Sequence, residues 1–465
     1  MALVAGVDSS TQSTKVQIRD LDSGRLVGEA SAAHPVTTPP RSEQDPAAWW
    51  QAFQACWESL GHPQVAAIAV AGQQHGMVAL DAARRVIRPA KLWNDTESAP
   101  DSGWLLKQLG GAEPWVLRTG SVPLAAFTAT KLSWLHRSEP HHWARLAYVL
   151  LPHDWMTLQL AGELVTDRGD ASGTGYWSPT DEGYCLDILA VIDREREWSS
   201  VLPRVAGPGE VVGTWQGARV APGTGDNMAA ALGLGLGRGV ASMSIGTSGV
   251  VATVHDRPVA DPSGTVAGFA DAAGGFLPLV CTLNAAKVLD TVAALIGLTP
   301  QSLSDAALSA ADAGGVTLLP YFDGERTPNL PSASGWVSGL RTTTTAAHLA
   351  RAALEAVACG LLDGLDALHR FAPVERIVLT GGAARNDALC AVIAALADRP
   401  VSRSREREAV AAGACVQAAT VALPATAEEV AQRWSVGGVE AIEPAAVTDD
   451  VRTRYAALRD QAYPS

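Results

Sequence analysis

The chain has 465 residues, 47% of them hydrophobic and 18% charged. This is globular composition, and the length predicts two domains of roughly 200 residues each. A formal net charge of −13 repels nucleic acid and acidic membranes, so neither is expected as a partner.

Cys56, Cys185, Cys281, Cys359, Cys390 and Cys415 are scattered without metal-binding spacing, which fits reduced thiols in a cytoplasmic protein. No basic leader is seen at the start, and no apolar run long enough to span a membrane, so neither a signal peptide nor a transmembrane helix is expected.

Residues 1–8 predict a short buried strand ending in Asp8. A polar turn, Ser9-Ser10-Thr11-Gln12-Ser13-Thr14-Lys15, then leads into an alternating strand over 16–20. Asp45-Pro46 predicts a helix start, with the helix running through Trp57. A buried strand over 65–70 runs into Gly72-Gln73-Gln74-His75-Gly76. The opening design recurs at 240–245, a strand followed by Gly246-Thr247-Ser248-Gly249 and a further strand over 250–254.

Each half therefore begins strand, small-residue turn, strand, and such turns bare backbone N–H groups to phosphate oxygens. The Gly-rich run 233–239 marks the boundary, giving domains 1–238 and 239–465. In the second half, Leu354, Val357, Leu361, Leu365 and Leu368 share one face of a helix, which is read as core. A buried strand over 377–379 precedes Thr380-Gly381-Gly382-Ala383-Ala384-Arg385-Asn386, and a last helix is expected after about residue 440.

Asp8, at a strand end, suits a carboxylate that closes an Asx turn or one that holds a magnesium ion, and the matching turn at Gly246-Thr247-Ser248-Gly249 favours the second. In Pro222-Gly223-Thr224-Gly225-Asp226-Asn227 an acid stands where a helix begins. It suits a general base toward a hydroxyl nucleophile, or a helix cap, and the two roles are compatible. Gln74 and His75 suit hydrogen bonding to a polyhydroxylated substrate, with a structural histidine as the alternative. The Gly381-Gly382 turn suits an adenine or ribose against backbone, or a plain strand-to-helix turn. No GxxxxGK[ST], HExxH, GxSxG or EF-hand pattern is found.

In order and spacing, these segments resemble the FGGY carbohydrate kinases from Asp8 to Gly413, and Gly335 to Glu355 is similar to that family's C-terminal signature. Within the family, the segments most resemble the xylulokinases. They are Trp49-Trp50, Ala71-Gly72-Gln73-Gln74-His75-Gly76, Leu92-Trp93-Asn94-Asp95, Leu150-Leu151-Pro152-His153-Asp154 and Pro320-Tyr321-Phe322-Asp323-Gly324-Glu325-Arg326-Thr327-Pro328.

The resemblance implies an α/β protein, an actin-like ribonuclease-H fold duplicated in two domains around a nucleotide and sugar cleft. Its expected activity is transfer of a phosphoryl group from ATP, with Mg2+, to D-xylulose. Asp226 matches the catalytic base, Gln74, His75 and Asn227 the sugar-binding positions, and Asp8 the acid for metal-assisted activity. Thr11, Ser13, Gly246, Thr247, Gly382, Ala383 and Asn386 match the places where ATP is held. A cytoplasmic homodimer is expected. Departures from the family pattern are Ser10 for a usual Gly, Gln74 for a frequent Met, Ala126 for a usual Gly, and Glu97 for a frequent Arg. Kinases for L-ribulose, L-xylulose or gluconate are the related alternatives, and a non-kinase actin-like ATPase is the distant one.

Overall fold

The computed structural model describes residues 2–448 and 450–464. Two compact units partition the chain, and they are not two simple halves. The first comprises Met1–Gly235, His255–Leu277 and Glu408–Gly437, the second Leu236–Val254, Pro278–Arg407 and Gly438–Ser465.

The first unit is built on β1 (Leu3–Ser9), β2 (Ser13–Asp20), β3 (Leu26–Ala33), β4 (Ala67–Gly72), β5 (Gly213–Trp215), β6 (Ala218–Val220) and β7 (Thr224–Gly225). Their order is β5-β6-β4-β1-β2-β3, with β7 also paired to β4. The β1–β2–β3 meander is antiparallel, whereas β1, β4 and β6 are parallel. β1 and β4 are near-continuous apolar runs because both of their faces are covered.

The second unit repeats this plan with β8 (Val240–Ile245), β9 (Gly249–Thr253), β10 (Phe276–Thr282), β11 (Arg376–Thr380), β12 (Val401–Ser404) and β13 (Val439–Ala441). β8, β9 and β10 form an antiparallel meander, and β11 and β12 add in parallel beside β8. An antiparallel strand, β13, closes that edge as β5 closes the first sheet. Both units thus carry the actin-like arrangement.

The expected turn at 9–15 is shorter than the residue types suggest. Asp8 pairs with Lys15 and Ser9 with Thr14, so the ladder runs on into the polar residues and leaves only 10–12 for the turn. Asp45 caps the helix Pro46–Ser59 by accepting the Ala47 N–H. In the helix Ala346–His369, Leu354, Val357, Leu361, Leu365 and Leu368 are all buried. Each such side chain contributes about 1.5–3 kcal/mol of transfer free energy.

The late helix Ala409–Ala422 packs on the first sheet and against the helix Asp226–Gly233. Contact is backbone to backbone. A Cβ on Gly413 would lie 1.7 Å from the Ala229 carbonyl oxygen, and one on Gly6 would lie 2.2 Å from that of Ala411. Only glycine allows that approach. Among the described residues no single helix is long and apolar enough to cross a membrane.

Candidate active site

In the first unit, three strand ends deliver the polar groups. β1 and β7 both pair with β4 at Ala71, which sets Asp8 and Thr224 on either side of one residue. Two residues after Thr224, the helix Asp226–Gly233 begins, with Gly225 as its cap residue. The cap residue has no oxygen to offer, so Asp226 serves the helix itself: its Oδ1 accepts the Asn227 N–H at 2.8 Å. The Asn227 side-chain amide donates to Asp226 Oδ1 at 3.0 Å and to Gln74 Oε1 at 2.7 Å.

Asp8, Gln74, Asp226 and Asn227 therefore form one cluster. Two of its atoms, Asp8 Oδ1 and Gln74 Nε2, and Nε2 of the adjacent Gln73 are buried without a protein partner. Buried polar atoms are ordinarily satisfied, so these three are suited to a polar ligand.

Burial pushes the Asp226 carboxyl up to about 7, and the charges of Asp8 and Asp170 add to that. Asp8 is likewise pushed up to about 7 by burial, against the Lys15 ammonium, which favours its ionised form. Lys15 in turn forms an ion pair with Glu408. A carboxyl poised near neutrality can take a proton from a hydroxyl while remaining partly ionised at physiological pH.

His75 stands in the left-handed region at φ 65°. Its Nδ1–H donates to the Gly173 carbonyl at 2.6 Å, and its own carbonyl accepts from Thr128 Oγ1 at 3.1 Å. The ring stacks on Phe127 with centroids 4.6 Å apart and lies 5.7 Å from that of Phe269.

The expected nucleotide residues divide between the units. The Thr11 hydroxyl donates to Gln73 Oε1 at 3.1 Å and accepts from Trp93 Nε1 at 2.9 Å. It is thereby tied to the Gln73-Gln74-His75 segment. Ser13 opens β2, and its carbonyl takes both the N–H and the hydroxyl of Ser10.

In the second unit, Gly246 and Thr247 form the turn between β8 and β9. Gly382 and Ala383 lie in a single 3-10 turn after β11, and nothing stands within 4 Å of where a Cβ on Gly382 would be. Asn386 caps the helix Asp387–Leu396: its Oδ1 accepts the Leu389 N–H at 3.1 Å, while its amide donates to Ser304 Oγ at 2.9 Å.

Around the site lie groups to which the residue pattern assigned no role. His153, fully buried, stands among three carboxylates: Nδ1 is 2.8 Å from Asp170, and Nε2 is 3.1 Å from Asp154 and 3.7 Å from Asp167. Burial opposes its charge, but the three acids outweigh that and hold the imidazolium up to about 9. Asp167 accepts from Thr224 Oγ1 at 2.7 Å, which joins this group to β7. Lys15 could have been found from its register opposite Asp8. Glu408 left no local signal, being 393 residues from its partner.

Glu97 belongs to a structural network. With Glu43 and Asp95 it surrounds the buried Lys91 ammonium, at 2.6, 3.1 and 2.9 Å respectively. Those acids have their cation already.

The chain matches the N-terminal domain of the FGGY carbohydrate kinases over residues 3–233 and the C-terminal domain over 241–422. The chain belongs to the FGGY family of carbohydrate kinases. Among FGGY relatives, it is 45% identical to the xylulose kinase of Streptomyces coelicolor over 99% of this chain and 97% of that one. It is 35% identical to the xylulose kinase of Escherichia coli, with 82% of each covered. Of solved FGGY-type structures, the xylulose kinase from Bifidobacterium adolescentis superposes with a TM-score of 0.89 at 38% identity, covering 98% of this chain and 99% of that one. The expected α/β fold and the family resemblance are both borne out, and the chain is an ATP-dependent carbohydrate kinase.

Proposed function

We propose that this kinase phosphorylates the terminal hydroxyl of D-xylulose, giving D-xylulose 5-phosphate. The observation that carries the reading is the Asp226–Asn227–Gln74 cluster: a half-buried carboxyl hydrogen-bonded to an amide that also reaches Gln74, whose own amide nitrogen is buried without a protein partner. The names of the relatives at 45% and 38% identity support the choice of sugar.

Asp226 takes the proton of the attacking hydroxyl, while Gln74, His75 and Asn227 hold the sugar. Residues 1–238 supply the sugar site and the base, and residues 239–465 most of the nucleotide site. Thr11, Ser13, Gly246, Thr247, Gly382, Ala383 and Asn386 hold ATP. Phosphoryl transfer depends mainly on positioning and electrostatics, which suits a site of preset hydrogen bonds.

The residues present also fit a magnesium ion. Asp8 offers a buried carboxylate oxygen with no protein partner, a hard donor suited to that cation. When bound, magnesium supplies charge neutralisation at the phosphate oxygens. The enzyme we propose works in the cytoplasm as a homodimer, which multi-angle light scattering checks.

A coupled ADP-release assay over pentuloses, polyols and gluconate tests the substrate. D-xylulose should give the highest kcat/KM, and a higher value for any other acceptor rejects the assignment.

A further inference from the structure

His153 stands outside the hydrogen bonds that join Asp226, Asn227 and Gln74, yet the chain invests heavily in it. The side chain is fully buried at 0% exposure, as is that of Asp170, and the two meet at 2.8 Å. Burying such a pair is costly unless its geometry is held from several sides. Here it is: Asp167 accepts the N–H groups of Gly169 and Asp170 at 2.9 and 3.0 Å. Asp167 thus fixes a tight segment that carries Asp170, and the next turn is also pinned. The Ser172 hydroxyl donates to the Gly169 carbonyl at 2.6 Å and accepts the Ala270 N–H at 3.0 Å. That turn ends at Gly173, whose carbonyl takes the His75 Nδ1–H. A Cβ at Gly173 would stand 2.8 Å from the same imidazole, so the ring and this backbone are fitted to each other.

We propose that His153 is a positioning residue for sugar recognition, acting through Asp170 and the Gly173 carbonyl to set the tautomer and orientation of the His75 ring. A carbonyl oxygen only accepts, so this contact keeps the hydrogen on Nδ1 and fixes the role of Nε2. Phe127, stacked on the ring, confines the rotation that remains. If the ion pair is removed, the segment from Asp170 to Gly173 loses one of its anchors, and the ring a part of its reference. The inference rests on the reading above that His75 binds the sugar.

The experiment is a double-mutant cycle on the full-length chain, with KM for D-xylulose and for ATP measured for His75→Ala, His153→Gln and the pair. His153→Gln should raise the sugar KM about ten- to a hundredfold, with the ATP KM within about twofold. The double variant should be no worse than His75→Ala alone, because the two substitutions remove the same effect.

Independent, multiplying effects on the sugar KM overturn the proposal. So does a His153→Gln protein with unchanged sugar KM and only a lower Tm. If His75→Ala itself leaves the sugar KM unchanged, the reading of His75 fails, which is a distinguishable result. Should His153→Gln not fold, Asp170→Asn keeps the side-chain shape and removes the charge. The same non-additivity with His75→Ala is required of it, and additivity rejects the proposal.

Discussion

Asp8, on the strand β1 beside β4, and Asp226, at the head of the helix that follows β7 on the other side of β4, interact through charge. The charge on Asp8 helps raise the Asp226 carboxyl to about 7. Two acids so placed penalise each other when both are ionised. A hydroxyl proton has an acceptor here, and a cation at Asp8 lowers the cost of having both charges.

Asp226→Ala should therefore reduce kcat by at least about a hundredfold while ATP binding changes little. Turnover near that of the parent would remove Asp226 from the chemistry.

Asp8→Asn retains shape and hydrogen-bonding capacity but loses a charge. Activity should fall, and the magnesium concentration giving half-maximal rate should rise, about tenfold or more. A titration of rate against magnesium reads this directly, and an unchanged midpoint excludes Asp8 from holding the ion.

With the Asp226 carboxyl raised to about 7, the base is mostly ionised above that pH and progressively protonated below it. In the free enzyme, kcat/KM for the sugar should fall about tenfold per unit on the acid side. Stability moves the opposite way. Each acid is raised from 3.8 to about 7, so its contribution is fully present below pH 3.8 and is lost as pH rises through about 7. Asp226→Asn should accordingly melt higher than the ligand-free parent near about pH 8, by about 2–4 °C for each kcal/mol of relief. The advantage should be only partial near about pH 5 and vanish below pH 3.8. Melting curves at both pH values check it, and a variant less stable at both contradicts the assigned burial cost.

Gly413→Ala tests the backbone contact beneath the catalytic helix. The new Cβ meets the Ala229 carbonyl at 1.7 Å, so one helix must move. Overpacking of this kind costs about 1–3 kcal/mol, and kcat should drop because the helix bearing Asp226 is displaced. Gly360→Ala is the control: its Cβ would meet only Tyr455 Oη, at 3.6 Å, so Tm and kcat should be nearly unchanged. Equal behaviour of the two variants would contradict the account.

What the residues disclosed in advance was local. The residue pattern puts Asp8 at the end of a short apolar strand and Asp226 where a helix begins, and the structure places Asp8 one residue before the end of β1 and Asp226 at the head of its helix. The helical face from Leu354 to Leu368 followed from a period of about 3.6. His153 was different: Asp154 is its neighbour in the chain, but nothing in the spacing marks Asp167 and Asp170 as partners, and only the fold brings them to the same imidazole. Asn386 shows the reverse case, since an asparagine opening a helix carries its capping role in its type, and that is how its oxygen is used.

The helix Ala409–Ala422 bears on how the protein is made. Val4, Ala67, Ala69, Ala71 and Ala229 are covered by Ala414, Cys415 and Ala418, so the first unit lacks one layer until the chain has been synthesised almost to its end. At a translation rate of about 5–20 residues per second, the gap between Gly6 and its partner at Ala411 lasts roughly 20–80 s. A nascent chain cannot complete its first unit on the ribosome before the second has largely emerged, and the interval leaves an alanine-lined apolar face open to chaperones. A chain ended at residue 238 would never close that face, so its two units should not be separable by cutting there.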